Sequence, residues 1–324
     1  MSDLLLATSN ELVVCDQHAA SWQVGAHSLQ GLRLTSVSAR SGVILAGTTN
    51  GIWRSEDGGH HWQDASTGLT IRRVRWLAFH PDSSDRVLAG TEPAGIFVSQ
   101  DGGALWRLCP EVIGLRDEFK WSLPYSPEAG CIRGFAFHGD RLYAAAEVGG
   151  VLRSDDAGET WRLAKGSDGN PSFGVPAPSF VHPDVHSVAV HPSTPDAVLA
   201  PTGGGFFRSS DGGATWEFLY DCYCRAVWAD PNDPPHMILG PADDVDRRGR
   251  IEVTQDGGTT WAPASVGLKV PWPRTMVERF AQVGDELIAV LSNGELYAST
   301  LSHLEWRRIL PEVQGVAAVA EFSR

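Results

Sequence analysis

The sequence lacks the features that would place it in several large classes. Among its 324 residues no apolar run approaches the roughly 18 needed to cross a bilayer. The opening stretch MSDLLLATSNELVVCD has neither the basic leading segment nor the long apolar core of a secretion signal. A cytoplasmic protein with no membrane partner is therefore expected. Positive charge is scarce: 26 Lys and Arg stand against 39 Asp and Glu, a formal charge of −13. That balance argues against nucleic acid and anionic lipid as partners, because both are bound through an excess of Lys and Arg. Cysteine is also sparse. Cys15, Cys109, Cys131, Cys222 and Cys224 are odd in number and form no Cys-x-x-Cys pair, so they read as reduced thiols rather than a disulfide framework. No segment sustains a helical period.

What is present is a repeated turn. SSDGGATW, ending at Trp216, has near copies in SEDGGHHW at Trp62, SQDGGALW at Trp106, SDDAGETW at Trp161 and TQDGGTTW at Trp261. Two worn copies, CDQHAASW at Trp22 and STLSHLEW at Trp306, keep the tryptophan and lose the Asp and Gly positions. The Trp-to-Trp spacings are 40, 44, 55, 55, 45 and 45 residues, which makes seven units. In each turn the Ser and Asp side chains can satisfy backbone groups of their own loop, and glycine supplies positive φ. Asp57, Asp101, Asp156, Asp211 and Asp256, with the tryptophans that follow them, are therefore expected to be structural.

Ahead of each turn the grammar is constant. VRWLAFHP is one apolar run, RVLAGT a second, and GIFVSQ leads into the box. These runs are short, rich in β-branched and aromatic residues, and punctuated by Gly, Pro and Asp, so they read as strands. Counting the stretch around the Trp as a fourth strand gives antiparallel blades of about 45 residues, the period of a propeller. Residues 4–24 supply three strands of a unit whose first strand is missing, and GVAAVAEF at 315–322 is left over. The expectation is all-β: a single seven-bladed β-propeller closed by its C-terminal strand. The expected blades are 4–24 plus 313–322, 32–65, 73–108, 131–164, 185–219, 224–264 and 275–310.

The box pattern resembles that of the Asp-box (bacterial neuraminidase repeat) family. S-x-D-x-G-x-x-W is intact in four boxes and varied by Thr254 in the fifth. The resemblance covers essentially the whole chain and implies the propeller. It leaves activity open, since such propellers include sialidases, xyloglucan hydrolases, sorting-receptor domains and photosystem II assembly factors. In the sialidases the boxes lie away from the active site, which implies function on the opposite face. Two long connections, 107–131 and 162–186, and the charged loop 240–250 belong to that rim, where binding residues concentrate.

Aligning the first strands on their closing turns places Arg33, Arg75, Arg133, His186, Arg225 and Glu278 in one register. Inner strands line the channel of a propeller, so five potentially cationic groups should converge at its mouth. Guanidinium forks bind carboxylate and phosphate in bidentate fashion. The expected ligand is an anionic small molecule, a glycan or an acidic protein segment, with no cofactor. HPDVH offers His182, Asp184 and His186 at alternating positions, and Cys222 and Cys224 form a Cys-x-Cys. Neither is taken as a metal site. His80, His138 and His191 recur at strand ends and read as turn residues.

If the protein were a sialidase-like glycoside hydrolase, the resemblance implies a Tyr nucleophile activated by Glu. Tyr223 with Glu278 or Glu147 would then fill those roles, beside the Arg cluster. Against this, the family's early Arg-Ile-Pro segment is absent, and the one similar string, RRILP at 307–311, lies at the other end. A noncatalytic binding or assembly module is the favoured reading, with hydrolysis the alternative.

Overall fold

The computed structural model describes residues 2–18, 21–123, 129–171 and 174–323. Parts of the first worn box and of both long connections therefore lie outside the described residues. Seven four-stranded antiparallel sheets form the ring of a β-propeller. Their innermost strands are Val316–Ser323, Leu34–Arg40, Val74–His80, Cys131–His138, Ala189–His191, Tyr223–Ala229 and Val277–Val283.

Closure follows the sequence. Val316–Ser323 pairs antiparallel with Ser2–Thr8, from Ser2 opposite Ser323 to Thr8 opposite Val316, and completes the sheet that holds Leu12–His18 and Ser21–Ser28. Ser2–Thr8 is thereby not left as an open edge that would invite foreign pairing, and Val316–Ser323 takes the innermost position, facing the channel.

The second strand of each blade reads as a continuous apolar run because both of its faces are buried. Leu4 and Leu6 pack against Ile288 and Val290 of the seventh blade. Leu5 and Ala7 turn the other way, onto Leu34, Val37 and Ile44 of the second. The same alternation fills the remaining gaps between blades, so the core is a ring of interblade layers rather than one central cluster.

The boxes close as the sequence suggests. Ser209 Oγ donates to Asp211 Oδ1 at 2.8 Å and accepts from the Gly213 amide at 2.8 Å. Asp211 Oδ1 in turn accepts from the Thr215 amide at 2.8 Å. Thr254 takes the serine's place in the fifth box, at 2.8 Å from Asp256 Oδ1. Both box glycines, Gly212 and Gly213, have positive φ, at 69° and 84°. Three of the box turns are also stapled from the preceding blade. Arg54, Arg153 and Arg208 donate to the carbonyls of Gly102, Gly212 and Gly257 at 2.9, 2.8 and 2.7 Å. Trp106 and Trp306 donate back to Ala65 and Ala264, at 2.9 and 2.8 Å. His80, His138 and His191 meet the turn carbonyls of Gly139, Pro192 and Asp230 in the next blade. They are turn residues, as expected.

One element departs from the all-strand expectation. Pro110–Phe119 is an α-helix, α1, inside the first long connection. Pro110 suits its first turn, where an amide has no helical partner, and Lys120 ends it with φ 55°. Its apolar residues are too few to give a clear period: Val112 is buried, while Leu115 and Phe119 are half-buried against the core between blades three and four. The following Trp121 is buried and donates to the Gly169 carbonyl at 2.9 Å, which ties the two long connections together. No helix among the described residues is long and apolar enough to cross a membrane.

Candidate functional site

All seven blades contribute to a cavity of about 520 Å³ at one mouth of the channel. Arg33, Arg75, Arg133, His186, Arg225 and Glu278 all line it, so the structure brings the aligned residues together. The way they are presented was not legible in the sequence. The inner strands carry register shifts that skip Arg75, Arg133, Arg225 with Ala226, and Glu278. A β-bulge inserts an extra residue and re-aims its side chain, here into the channel. Arg33 is not in this register. The equivalent bulge in the second blade is Thr35, whose hydroxyl donates to the Val74 carbonyl at 2.6 Å. Arg33 precedes that strand and reaches the same cavity, exposed.

The cations differ in what they already hold. Glu278 accepts from Arg133 Nη2 and, at 2.7 Å, from Arg225 Nη1. Burial alone would raise the Glu278 carboxyl, but Arg133, Arg225 and Arg279 outweigh it and hold the group far below the ordinary carboxylate range. Arg133 also reaches Glu147 Oε1 at 3.2 Å, and Arg75 lies 3.5 Å from Glu92. Glu92, just past the second strand of its blade, and Glu147, the last residue of the second strand of its own, occupy the same repeat position, and each serves the bulged arginine of its own blade. Glu92 was not singled out from the sequence. The signal that finds it is an acid following Thr91 in the same way that Glu147 follows Ala146.

Two cations are left over. Among the described residues, neither Arg33 nor Arg279 has a carboxylate within ion-pair distance. Arg279, which sequence reasoning missed, stacks over the Trp76 ring at 4.5 Å. Its Nε is buried with no hydrogen-bond partner among the described residues. Burial, with the like charges of Arg133 and Arg75, pulls its guanidinium down to about 10 against the opposing pull of Glu278, so it stays charged at neutral pH. In the loop 240–250, Arg248 and Arg250 are taken up by Asp243 at 2.9 and 3.1 Å. Asp246 alone reaches into the mouth, 3.6 Å from Arg225.

A second cavity, of about 570 Å³, is lined by Tyr223, Glu147, Asp184 and Leu123 together with arginines of the ring. The Tyr223 hydroxyl lies 3.2 Å from His186 Nε2 and 3.5 Å from Arg225 Nη2. Burial pushes its ionisation up to about 12, only partly offset by Arg225. Of the HPDVH histidines, His182 turns its Nδ1 to the Asp184 amide at 3.2 Å, while Asp184 and His186 converge on Glu147. The five described cysteines are free and buried.

Fold and mouth together define a seven-bladed propeller with an arginine-lined channel. No family model matches the chain. In sequence it is 29% identical over 222 residues to a xyloglucanase of Hypocrea jecorina (strain QM6a), an alignment covering 59% of this chain and 25% of that protein. Its fold is similar to an ancestral GH74 enzyme, with TM-score 0.63, 18% identity, and coverage of 90% of this chain and 38% of that one. It is equally similar to YCF48 bound to a D1 peptide, with TM-score 0.61, 15% identity, and coverage of 94% and 87%. YCF48 from Cyanidioschyzon merolae follows at TM-score 0.58 and 14% identity, covering 91% and 94%. The chain thus spans a quarter of the curated relative's length, and at these identities the structural likeness establishes the fold.

Proposed function

We propose that the protein is a noncatalytic binding or assembly module whose channel mouth takes an anionic ligand, and that an acidic protein segment is the ligand class. The observation that carries this is that Arg33 and Arg279 have no carboxylate within ion-pair distance among the described residues, in a cavity where Arg75, Arg133 and Arg225 already hold acids. Two cations without counterions beside three others carry a standing repulsion that a carboxylate-bearing chain relieves. The solved YCF48 complex with a peptide supports a segment over a small molecule or glycan.

The test is titration of a fluorescein-labelled oligoglutamate at rising salt. Binding should weaken steeply with salt. The Arg33→Ala/Arg279→Ala double variant should lose on the order of tenfold in affinity, with little change in melting temperature, since charge-assisted bonds are worth about 1.5–3 kcal/mol. Arg133 and Arg225 are poor first targets because they are structural partners of Glu278. Unchanged affinity in the double variant, or equal binding of an oligoglutamine, overturns the proposal.

The sequence match to a xyloglucanase favours a second reading, glycoside hydrolysis. Local chemistry weighs against the sialidase form of it. Burial makes the Tyr223 phenol hard to ionise, and Glu278, locked between two guanidiniums that hold its carboxyl far below the ordinary range, is a weak base for taking the phenol proton. Turnover of fluorogenic sialosides or xyloglucan oligosaccharides, lost in Tyr223→Phe, would establish the hydrolase and remove the binding module.

A further inference from the structure

Beside the arginine ring, three donor groups from two blades meet in a buried space. His186 Nε2 lies 3.3 Å from Asp184 Oδ2 and 4.0 Å from Glu147 Oε1. One ligand atom from each of the three residues falls within 4.8 Å of the others. Ligands about 2.0–2.2 Å from a tetrahedral ion stand roughly 3.3–3.6 Å apart, so the cluster is close to that size. The Tyr223 hydroxyl, 3.2 Å from the same nitrogen, stands next to the remaining corner.

The orientation of the imidazole is fixed from outside the cluster. His186 Nδ1 lies 2.9 Å from the Cys224 carbonyl, which can only accept, so Nδ1 carries the hydrogen. In the neutral ring Nε2 then presents its lone pair to the two acids, the arrangement in which a metal-bound histidine is held by an outer carbonyl. The Cys131 thiol donates to Glu147 Oε2 at 2.9 Å, so the oxygen on the side of His186 is Oε1, which Arg133 Nη1 also reaches at 3.2 Å. At Gly203 a Cβ would lie 2.1 Å from Asp184 Oδ2, so glycine makes room for that carboxylate.

A lone pair and two carboxylates at these distances repel, and the cation already present, Arg133 at 3.2 Å from Glu147 Oε1, is shared with Glu278. A proton on Nε2 can be donated to one acid only. A divalent ion answers both, and Arg133, which now shares Glu147, retains Glu278. We propose that Glu147, Asp184 and His186 form a binding site for a divalent transition ion of the zinc class, open toward the cavity beside Tyr223. This site is independent of the acidic-segment proposal, because it uses neither Arg33 nor Arg279.

The test strips the intact protein with a chelator and titrates it with zinc chloride. Zinc X-ray absorption is then recorded on the loaded wild-type chain. The expected result is one zinc per chain in a shell of nitrogen and oxygen that includes one imidazole. Asp184→Asn and Glu147→Gln should each weaken binding at least tenfold, and Arg33→Ala/Arg279→Ala should leave it unchanged. Absence of saturable binding overturns the proposal. So does a sulfur shell, which would place zinc at Cys222 and Cys224, and so does unaltered affinity in both acid variants. If Asp184→Asn fails to fold, Glu147→Gln and the wild-type absorption spectrum decide.

Discussion

At the box end of the ring, Ser209, Asp211 and Gly213 satisfy one another within five residues of chain. At the mouth, Glu278 reaches Arg133 across 145 positions. The first kind of bond is complete in all five intact copies of the turn and can be repeated without reference to what the other blades carry. The second exists only once the ring has closed, because it joins the fourth blade to the seventh. The box end is therefore scaffold by construction. The mouth, where the charges are not all answered, is where a ligand can add something.

Breaking the ring should erase the comparison. Deleting Val316–Ser323 exposes the strand Ser2–Thr8 and removes Val316, Ala318 and Phe322 from the core. Folding should fail outright, read as loss of the cooperative melt. A truncated chain with the parent melting temperature would refute closure through this strand.

A smaller effect sharpens the contrast at the mouth. Glu278→Gln leaves Arg133 and Arg225, whose side chains are 11% and 13% exposed, without their shared carboxylate. Removing one partner of such a pair costs about 3 kcal/mol, reduced here because Arg133 keeps Glu147. The melting temperature should fall while affinity for oligoglutamate rises. A fall in both would mean that the ring must be held by Glu278 to bind at all.

The smallest expected effect lies at the box end. Donation from the Thr260 hydroxyl and amide, and from Thr254, holds the Asp256 carboxyl down to about 2 from an ordinary 3.8. Its folded value is depressed, so its contribution is present above pH 3.8 and drains away as pH falls toward 2. Asp256→Asn should lower the melting temperature slightly at neutral pH, with the gap to wild type narrowing between pH 4 and pH 2. A gap that holds constant over that range would show that the charge of Asp256 is irrelevant to its turn.

The same contrast explains what could be read from the chain. Asp57, Asp101, Asp156, Asp211 and Asp256 bond to groups no more than four residues away, so periodicity alone exposed them, and with them the seven sheets. The register of Arg75, Arg133 and Arg225 was visible because a repeat keeps position. Their bulges were not, since a bulge is a relation between two strands. Arg279 escaped because its role depends on Trp76 of another blade. Asp184 and His186 were noticed as neighbours in sequence, whereas their third companion, Glu147, comes from a different blade. The helix α1 was missed because ten residues with a single fully buried side chain carry too little pattern.

The closing pair also decides how the ring would carry load. Ser2 faces Ser323 at one end of the ladder, and Thr8 faces Val316 at the other. A pull that separates Ser2 from Ser323 would meet the rungs singly and unzip them in order toward Thr8, rather than straining all of them together in shear. Tethered by that corner, the ring would part first at its own seam, at low force, and the other blades would follow once the closing strand was gone.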